Sequence, residues 1–426
     1  VSTVAAATEP TVRDPAEMRR RAKSGIVLAV VGALLLWFWQ SISNAHVSYL
    51  LGERTIGTEP STLPARPVVL GCAVVVLALA IAAGLGALPR GPLFVVAMVV
   101  AGAAFVLGFL VWAYSDQESS FQAVITNPLP GTFAIATPLI LGALAGCLCE
   151  RSGVINVAIE GQFLTGAFFA SVVASLTYSA GLGLIGGMLA GVGIAAMLAF
   201  FAIRYQVNQV VLGVVLVVFA SGLTAFLLDQ IPDDPSVKQY LNDPPQLSNV
   251  AIPGLSQLPL VGDAMFNQTV LVYLMYASVA LVTFLLFQTR WGLRVRAVGE
   301  HPKAADTVGI NVRRMRWQAV LFAGLFAGLG GAYFTVGSTG SFDKDVSSGN
   351  GFIALAAVIM GRWHPIWATF AALFFGFMSS LQDQLKLVNK IPSELLTMTP
   401  YIATVIAVAG FVGRVRPPAA DGEPYE

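Results

Sequence analysis

The chain has 426 residues, of which 56% are hydrophobic and 11% charged, with a formal net charge of +1. An ordinary soluble domain carries about 25% charged residues, so this is an integral membrane protein, and its near-neutral balance gives no electrostatic basis for holding nucleic acid. At about 20 apolar residues per crossing, the fold class is all-α, a polytopic membrane protein of about 10–12 transmembrane helices.

Residues 1–24 are polar and read as a disordered N-terminus, with Arg19, Arg20, Arg21 and Lys23 before the first apolar run, 25–39. Ser43-Asn44-Ala45 loosely matches a signal cleavage site. The long basic lead and the membrane-rich remainder favour an uncleaved first span with its N-terminus in the cytoplasm. Spans over 68–88 and 92–112 follow, joined by the turn Pro89-Arg90-Gly91, and make 25–130 an N-terminal helical region. The segment 113–130 carries Asp116 and Glu118 and reads as external.

A core over 131–413 comes next. The run 131–149 returns inward to Glu150-Arg151, and 154–178 goes out, interrupted by Glu160-Gly161-Gln162. Runs 181–203 and 207–228 continue the alternation. The loop 229–267 holds Asp229, Asp233, Asp234, Asp243 and Asp263 against Lys238 alone, so it is external. Run 270–287 leads into the basic loop 289–317, with Arg290, Arg294, Arg296, Lys303, Arg313, Arg314 and Arg316 against Glu300 and Asp306, which is cytoplasmic. Run 318–336 goes out. Run 352–360 is too short to span and reads as broken or re-entrant, a form tolerated where protein buries it. After the inner turn Gly361–Pro365, runs 366–381 and 396–412 leave 414–426 as a cytoplasmic tail.

Chemistry that the chain lacks is informative. No lysine follows a glycine, so a phosphate-binding G-x-x-x-x-G-K-[ST] loop is absent. There is no H-E-x-x-H pair and no G-x-S-x-G elbow, and the three histidines are scattered, so no catalytic or metal-ligand set is expected. Cys147 and Cys149 are spaced C-x-C but sit in an apolar run, where thiols act as small packing residues.

Three features carry weight. Glu160, with Asn156 and Gln162, places polar groups in a hydrophobic run, which either line a pathway or bond to a neighbouring span. Pro302 to Val308, closed by Gly309, reads as one short helix in the basic loop, either a docking element or a topology signal. Gly324 and Gly328 are spaced G-x-x-x-G, a face for close helix packing.

Four blocks then match a known family in order. They are Ala136-Thr137-Pro138-Leu139 with ERSGVINVAIEGQ from Glu150 to Gln162; Asn208-Gln209-Val210-Val211-Leu212-Gly213 with Ser221-Gly222-Leu223-Thr224; Gly292-Leu293-Arg294 through Val312; and Gly349-Asn350-Gly351-Phe352 through Pro365. The core resembles the permease subunits of bacterial ABC importers in the branched-chain amino acid, ribose and simple-sugar superfamily, and most of all the nucleoside-type branch.

That resemblance implies a multi-pass cell-membrane permease with both termini cytoplasmic. It implies pairing with a second permease, a cytoplasmic ATPase that supplies ATP and Mg, and an extracytoplasmic binding lipoprotein that delivers a nucleoside or, alternatively, a simple sugar. The chain itself would bind no cofactor. It implies a substrate path by Asn156, Glu160, Gln162, Asn208 and Gln209. ATPase coupling would fall to Glu300, Pro302, Ala304, Ala305, Gly309 and Asn311. His364 stands where relatives carry asparagine, and an asparagine expected near Val217 is absent. The rival class is an ion-coupled secondary transporter using Glu160.

Overall fold

The computed structural model describes residues 15–42, 46–50, 61–88, 91–115, 125–232, 234–258, 261–386, 392, 394–396, 398, 402 and 416–425. Most of the span expected over 396–412 lies outside them, as do Pro89-Arg90, Asp116, Glu118, Asp233 and Arg414. The described part of the chain forms two compact units, one drawn from 1–127 and 384–392, the other from 128–383 and 393–426.

In the first unit, α1 (Pro15–Ser41) starts ten residues earlier than the apolar pattern indicates. The expected disorder over 1–24 therefore does not hold for 15–24. Ala16 to Lys23 is a run of strong helix formers, and the span behind it has already met the cost of nucleation. A short strand β1 (His46–Leu50) pairs antiparallel with β2 (Ser61–Pro64). Two further spans follow, α2 (Ala65–Leu85) and α3 (Pro92–Tyr114), and β3 (Ile125–Thr126) joins β1 in parallel. Phe38 stacks on Trp112 at 4.4 Å between α1 and α3, and the Trp112 indole N–H donates to Ser41 Oγ at 2.8 Å.

The second unit opens with α4 (Leu129–Glu150) and α5 (Ile159–Thr177). Next come α6 (Ala180–Ala199), which ends in the π turn Phe200–Arg204, and α7 (Gln209–Asp229). The acidic loop folds as α8 (Pro235–Leu241), β4 (Asn249–Ala251), α9 (Gly262–Phe266) and β5 (Asn267–Thr269), with β4 and β5 antiparallel. The buried Asn242 clamps this loop down. Its Oδ1 accepts from the Ser171 hydroxyl at 2.8 Å and the Phe342 amide at 2.7 Å, and its Nδ2 donates to the Phe342 carbonyl.

Then α10 (Val270–Gln288), α11 (Arg290–Glu300), α12 (Pro302–Thr307) and α13 (Val312–Phe334) follow, α13 running on as a π turn to Thr339. Next come α14 (Asn350–Met360) and α15 (Pro365–Leu385). Ten described helices are long and apolar enough to cross a bilayer, and α14 is a shorter apolar helix, so the all-α polytopic architecture stands.

α4, α5 and α13 form the buried centre, with α6 against α5 and α13. The G-x-x-x-G pair lies at that α6–α13 contact. A Cβ on Gly324 would come 2.8 Å from the Gly191 carbonyl oxygen, and one on Gly166 of α5 would come 2.7 Å from that of Gly328. In a bilayer, helix association rests on such close packing rather than on hydrophobic burial.

Candidate functional site

The site is built where the loop between two full spans, α4 and α5, meets one interrupted crossing. α4 ends at Glu150, and residues 151–158 follow without helix before α5 begins. The sequence placed the interruption at Glu160-Gly161-Gln162. The structure places it earlier and runs α5 unbroken from Ile159, with Glu160 in its first turn. Electrostatics favours that outcome, because a carboxylate stabilises a helix N-terminus. The interrupted crossing is 340–360. Left-handed Gly340, Asp345, Ser348 and Gly349 shape its first half, and α14 forms the second. Eleven residues of helix rise about 16 Å, half a hydrocarbon core.

The start of α5 and this crossing meet at Glu160. One carboxylate oxygen accepts from the Ser347 hydroxyl at 2.5 Å and the Gly349 amide at 2.8 Å; the other accepts from the Gly351 amide at 2.6 Å. Those amides are unpaired donors at the start of α14. Glu160 thus caps a helix 190 positions away while sitting at the N-terminus of its own, and its charge meets the positive ends of both dipoles. Gly351 permits the approach, since a Cβ there would lie 2.5 Å from the Glu160 amide nitrogen. Along α7, Gln209 meets Ile155, Gly213 meets Val157 and Val217 meets Gly161. At 1.5 Å per residue, that puts Glu160 roughly 12 Å along α7 from the end carrying the basic loop.

A cavity of about 620 Å³ opens beside this junction, lined by Glu160, Leu164, Val217, Val218, Ser221, Asp345, Ser348 and Phe352 among others. Of the five residues expected on the solute path, Glu160 alone lines it. Asn156 Nδ2 donates to Gln162 Oε1 at 3.1 Å, and both side chains are fully buried, pinning the 151–158 loop to α5. Asn208 caps α7, accepting from the Val210 and Val211 amides at 3.1 Å. Gln209 Oε1 accepts from the Ile155 amide at 2.7 Å, a second tie on the same loop. Val217, near which the resemblance led to the expectation of an asparagine, is in the cavity wall.

At the basic end, the short helix expected over 302–308 is α12. Pro302 stands at its first position, and Gly309 beyond its end takes φ +83°. Ala305 is buried in a small cluster with Val298, Val312 and Met315, while Ala304 and Gly309 are exposed. Asn311 caps α13 through the Arg314 amide at 2.9 Å. The Glu300 carboxylate accepts from the Ala419 amide at 3.3 Å.

That last contact belongs to an arrangement the sequence did not disclose. The segment 416–425 lies against the basic end, with Pro418 and Ala420 buried. The Ala420 amide donates to the Gly299 carbonyl at 2.9 Å, and the Gly422 amide to that of Gly153 at 3.3 Å. Arg316, 2% exposed, donates to the Glu423 carbonyl at 2.8 Å. Burial pushes the Asp421 carboxyl up to about 7, against the opposing pull of Arg316 and the Gly422 amide. Beside it, the Trp363 indole donates to Glu150, and Arg151 Nε donates to the Trp363 carbonyl at 3.0 Å. His364 stacks on Phe287 at 4.6 Å, and burial, then the Arg151 charge, lower its pKa. The 151–158 loop, the end of α11, the start of α13 and the turn before α15 are thereby joined.

Two helix N-termini, those of α5 and of the short α14, converge beside a cavity, an arrangement that suits a transport protein. A family model for the permease component of branched-chain amino acid transport systems matches residues 129–409, and the chain belongs to that family. The guanosine ABC transporter permease protein NupQ of Bacillus subtilis is 41% identical over 313 residues, 71% of this chain and 97% of its own length. The nucleoside ABC transporter permease protein NupC of Lactococcus lactis is 37% identical over 318 residues, 72% and 98% of the two chains. The putative glucose ABC transporter permease protein TsgC13 of Haloferax volcanii is 36% identical over 264 residues, 62% and 78%. No solved structure matches the chain. It is a multi-pass permease subunit of an ABC importer, a transport component rather than an enzyme.

The residues that sequence reasoning passed over are Ser221, Asp345, Ser347 and the terminal strap. A signal for the middle pair was present, since DVSSGNG from Asp345 to Gly351 is a polar, glycine-rich break between apolar runs.

Proposed function

We propose that this chain carries nucleosides across the bacterial plasma membrane as one half of a permease pair, fed by an extracytoplasmic binding lipoprotein and driven by a cytoplasmic ATPase. The observation that carries this reading is the cavity at the Glu160 junction, in a core that shares about two fifths of its residues with NupQ. The basic loop and both termini face the cytoplasm, as the positive-inside rule indicates, and the acidic loop 229–267 receives the binding protein. ATP and Mg act in the partner ATPase.

Coupling follows a short mechanical route. The exposed face of α12 and the flanking Arg313 and Arg314 meet the ATPase. A shift of α12 moves α11, whose Gly299 lies directly against the Arg151 carbonyl. Arg151 opens the 151–158 loop, and that loop leads into the first turn of α5, which carries Glu160. Displacing the loop therefore alters the cap on α14 and the wall of the cavity, which is how a rigid core supports alternating access. The binding energy of the partner is spent on this displacement.

The test is uptake of tritiated guanosine and of glucose by cells with and without the gene, at fixed energy supply. Guanosine uptake that requires both this chain and its ATPase supports the reading. Uptake that persists without the ATPase and follows an imposed ion gradient sinks it in favour of a secondary transporter.

A further inference from the structure

The cavity at the junction carries chemistry of its own, beyond the residues expected on the path. Two carboxylates, Glu160 and Asp345, face it, and no lysine or arginine is among its lining residues. Glu160 is committed to the amides of α14. Asp345 is exposed, holds φ +56°, and accepts from the Ser221 hydroxyl at 3.1 Å. The neighbouring cation, Lys344, is engaged by Asp229 at 2.8 Å. Ser221 is twelve residues along α7 from Gln209, about 18 Å in, so Asp345 stands near mid-bilayer depth. An ionisable group kept at that depth on a cavity wall is expensive unless a solute path uses it. Opposite in character, Phe352 is 48% exposed and continues into an apolar wall of Leu164, Val217 and Val218.

We infer that Asp345 and Ser221 form a hydroxyl-reading edge and Phe352 an aromatic face, which together select a neutral solute with vicinal hydroxyls and a flat apolar ring. This rests on the transport reading above and sharpens it. The two carboxylates repel nucleotides, and they give no partner to the carboxylate of an amino acid. A carboxylate paired with a serine accepts hydrogen bonds from a diol, and charged acceptors hold hydroxyls more tightly than neutral ones do. The ring face suits a base, for which stacking on an aromatic side chain contributes about 1–3 kcal/mol. A cavity of about 620 Å³ lies within the usual range for small-molecule sites.

Uptake through the complete transporter decides it, with guanosine, dideoxyguanosine (which lacks the vicinal ribose hydroxyls) and glucose as probes. Asp345→Asn keeps the shape of the side chain and can still accept from Ser221. It is expected to lower guanosine uptake about tenfold or more, the loss of one charge-assisted hydrogen bond, and to change dideoxyguanosine uptake less than about twofold. Ser221→Ala is expected to act in the same direction with a smaller loss, and Phe352→Leu to lower both nucleosides alike. Equal losses for guanosine and its dideoxy analogue in Asp345→Asn, or no loss for either, overturn the hydroxyl-reading edge. If Asp345→Asn fails to reach the membrane, Ser221→Ala carries the same comparison. Wild-type uptake of glucose without guanosine overturns the nucleoside reading alone; the same variants are then read on glucose against a deoxyglucose, where equal losses again overturn the edge.

Discussion

α3 in the first unit and α4 in the second are of similar length, and both are apolar enough to cross a bilayer. α3 is the more apolar of the two, yet 28% of its span is buried in protein against 83% for α4. α2 and α5 repeat the contrast, with 33% and 78%. In water the most hydrophobic helix would seek the centre. In lipid that drive is absent, and the centre goes to helices that pack closely through glycine and alanine and bond through buried polar groups. The first unit leaves valine and leucine exposed along α2 and α3. The second holds Thr137, Asn156, Glu160, Gln162 and Ser171, each with a partner in the protein.

The largest test of this contrast is a pair of glycine substitutions. Gly166→Leu drives a side chain into the Gly328 backbone, which lies 2.7–3.2 Å from the new Cβ, and is expected to remove folded protein from the membrane. Gly71→Leu and Gly102→Leu, on α2 and α3, meet nothing within 4 Å and are expected to leave the melting midpoint in detergent unchanged. A collapse at Gly71 equal to that at Gly166 would break the comparison.

Next in size is Glu160→Gln. The amide replaces a charged acceptor with a group that turns its own N–H donors toward the start of α14. A loss of about 3 kcal/mol is expected in reversible unfolding, together with loss of uptake. Unchanged stability and uptake would remove Glu160 from both the capping and the path role.

Removing 416–426 comes third. The truncation takes away the Glu423 carbonyl from the buried Arg316 and releases Gly153 and Gly299 from their shared strap. The expected result is chain that reaches the membrane but shows at least about a fivefold lower ratio of uptake to ATP hydrolysis, at about 1 kcal/mol of lost coupling. An unchanged ratio would leave the strap no part in coupling.

A smaller effect is expected from pH. The folded Asp421 carboxyl, at about 7, lies above its ordinary value of 3.8. The native state therefore holds a proton that the released tail gives up. Stability from this group is full below about pH 4 and is lost as pH rises through about 7. Protease protection of the tail is expected to be greater at pH 6 than at pH 8, and Asp421→Asn to flatten that difference. His364 works in the opposite sense: its pKa is lowered, so its share of stability is lost as pH falls below its ordinary value of 6.5. A rise in protection from pH 6 to pH 8 would show that His364, and not Asp421, dominates.

Much of this was legible locally. Proline at 302 and glycine at 309 bracket α12, because helix ends are governed by residues a few positions apart. Span positions followed from length and apolarity, and the polar anomaly at Glu160 was visible as an anomaly. Its meaning was not, because its partners Ser347, Gly349 and Gly351 are close to two hundred positions downstream. Asp345 was lost in a loop between two apolar runs, since no local rule says which loop lines a cavity.

By itself, then, the sequence determined that the chain is polytopic and all-α, with about 10–12 spans expected, that α12 lies between Pro302 and Gly309, and which permease family its core resembles. These depend on composition and on neighbours along the chain. Only the tertiary structure decided which helices are central, that Glu160 closes the start of α14, that Asn156 and Gln162 hold each other rather than face the cavity, and that the last residues bind the loop leading to it. In a bilayer these choices rest on close approach and polar pairing between distant segments, and the hydropathy of a single segment carries no record of either.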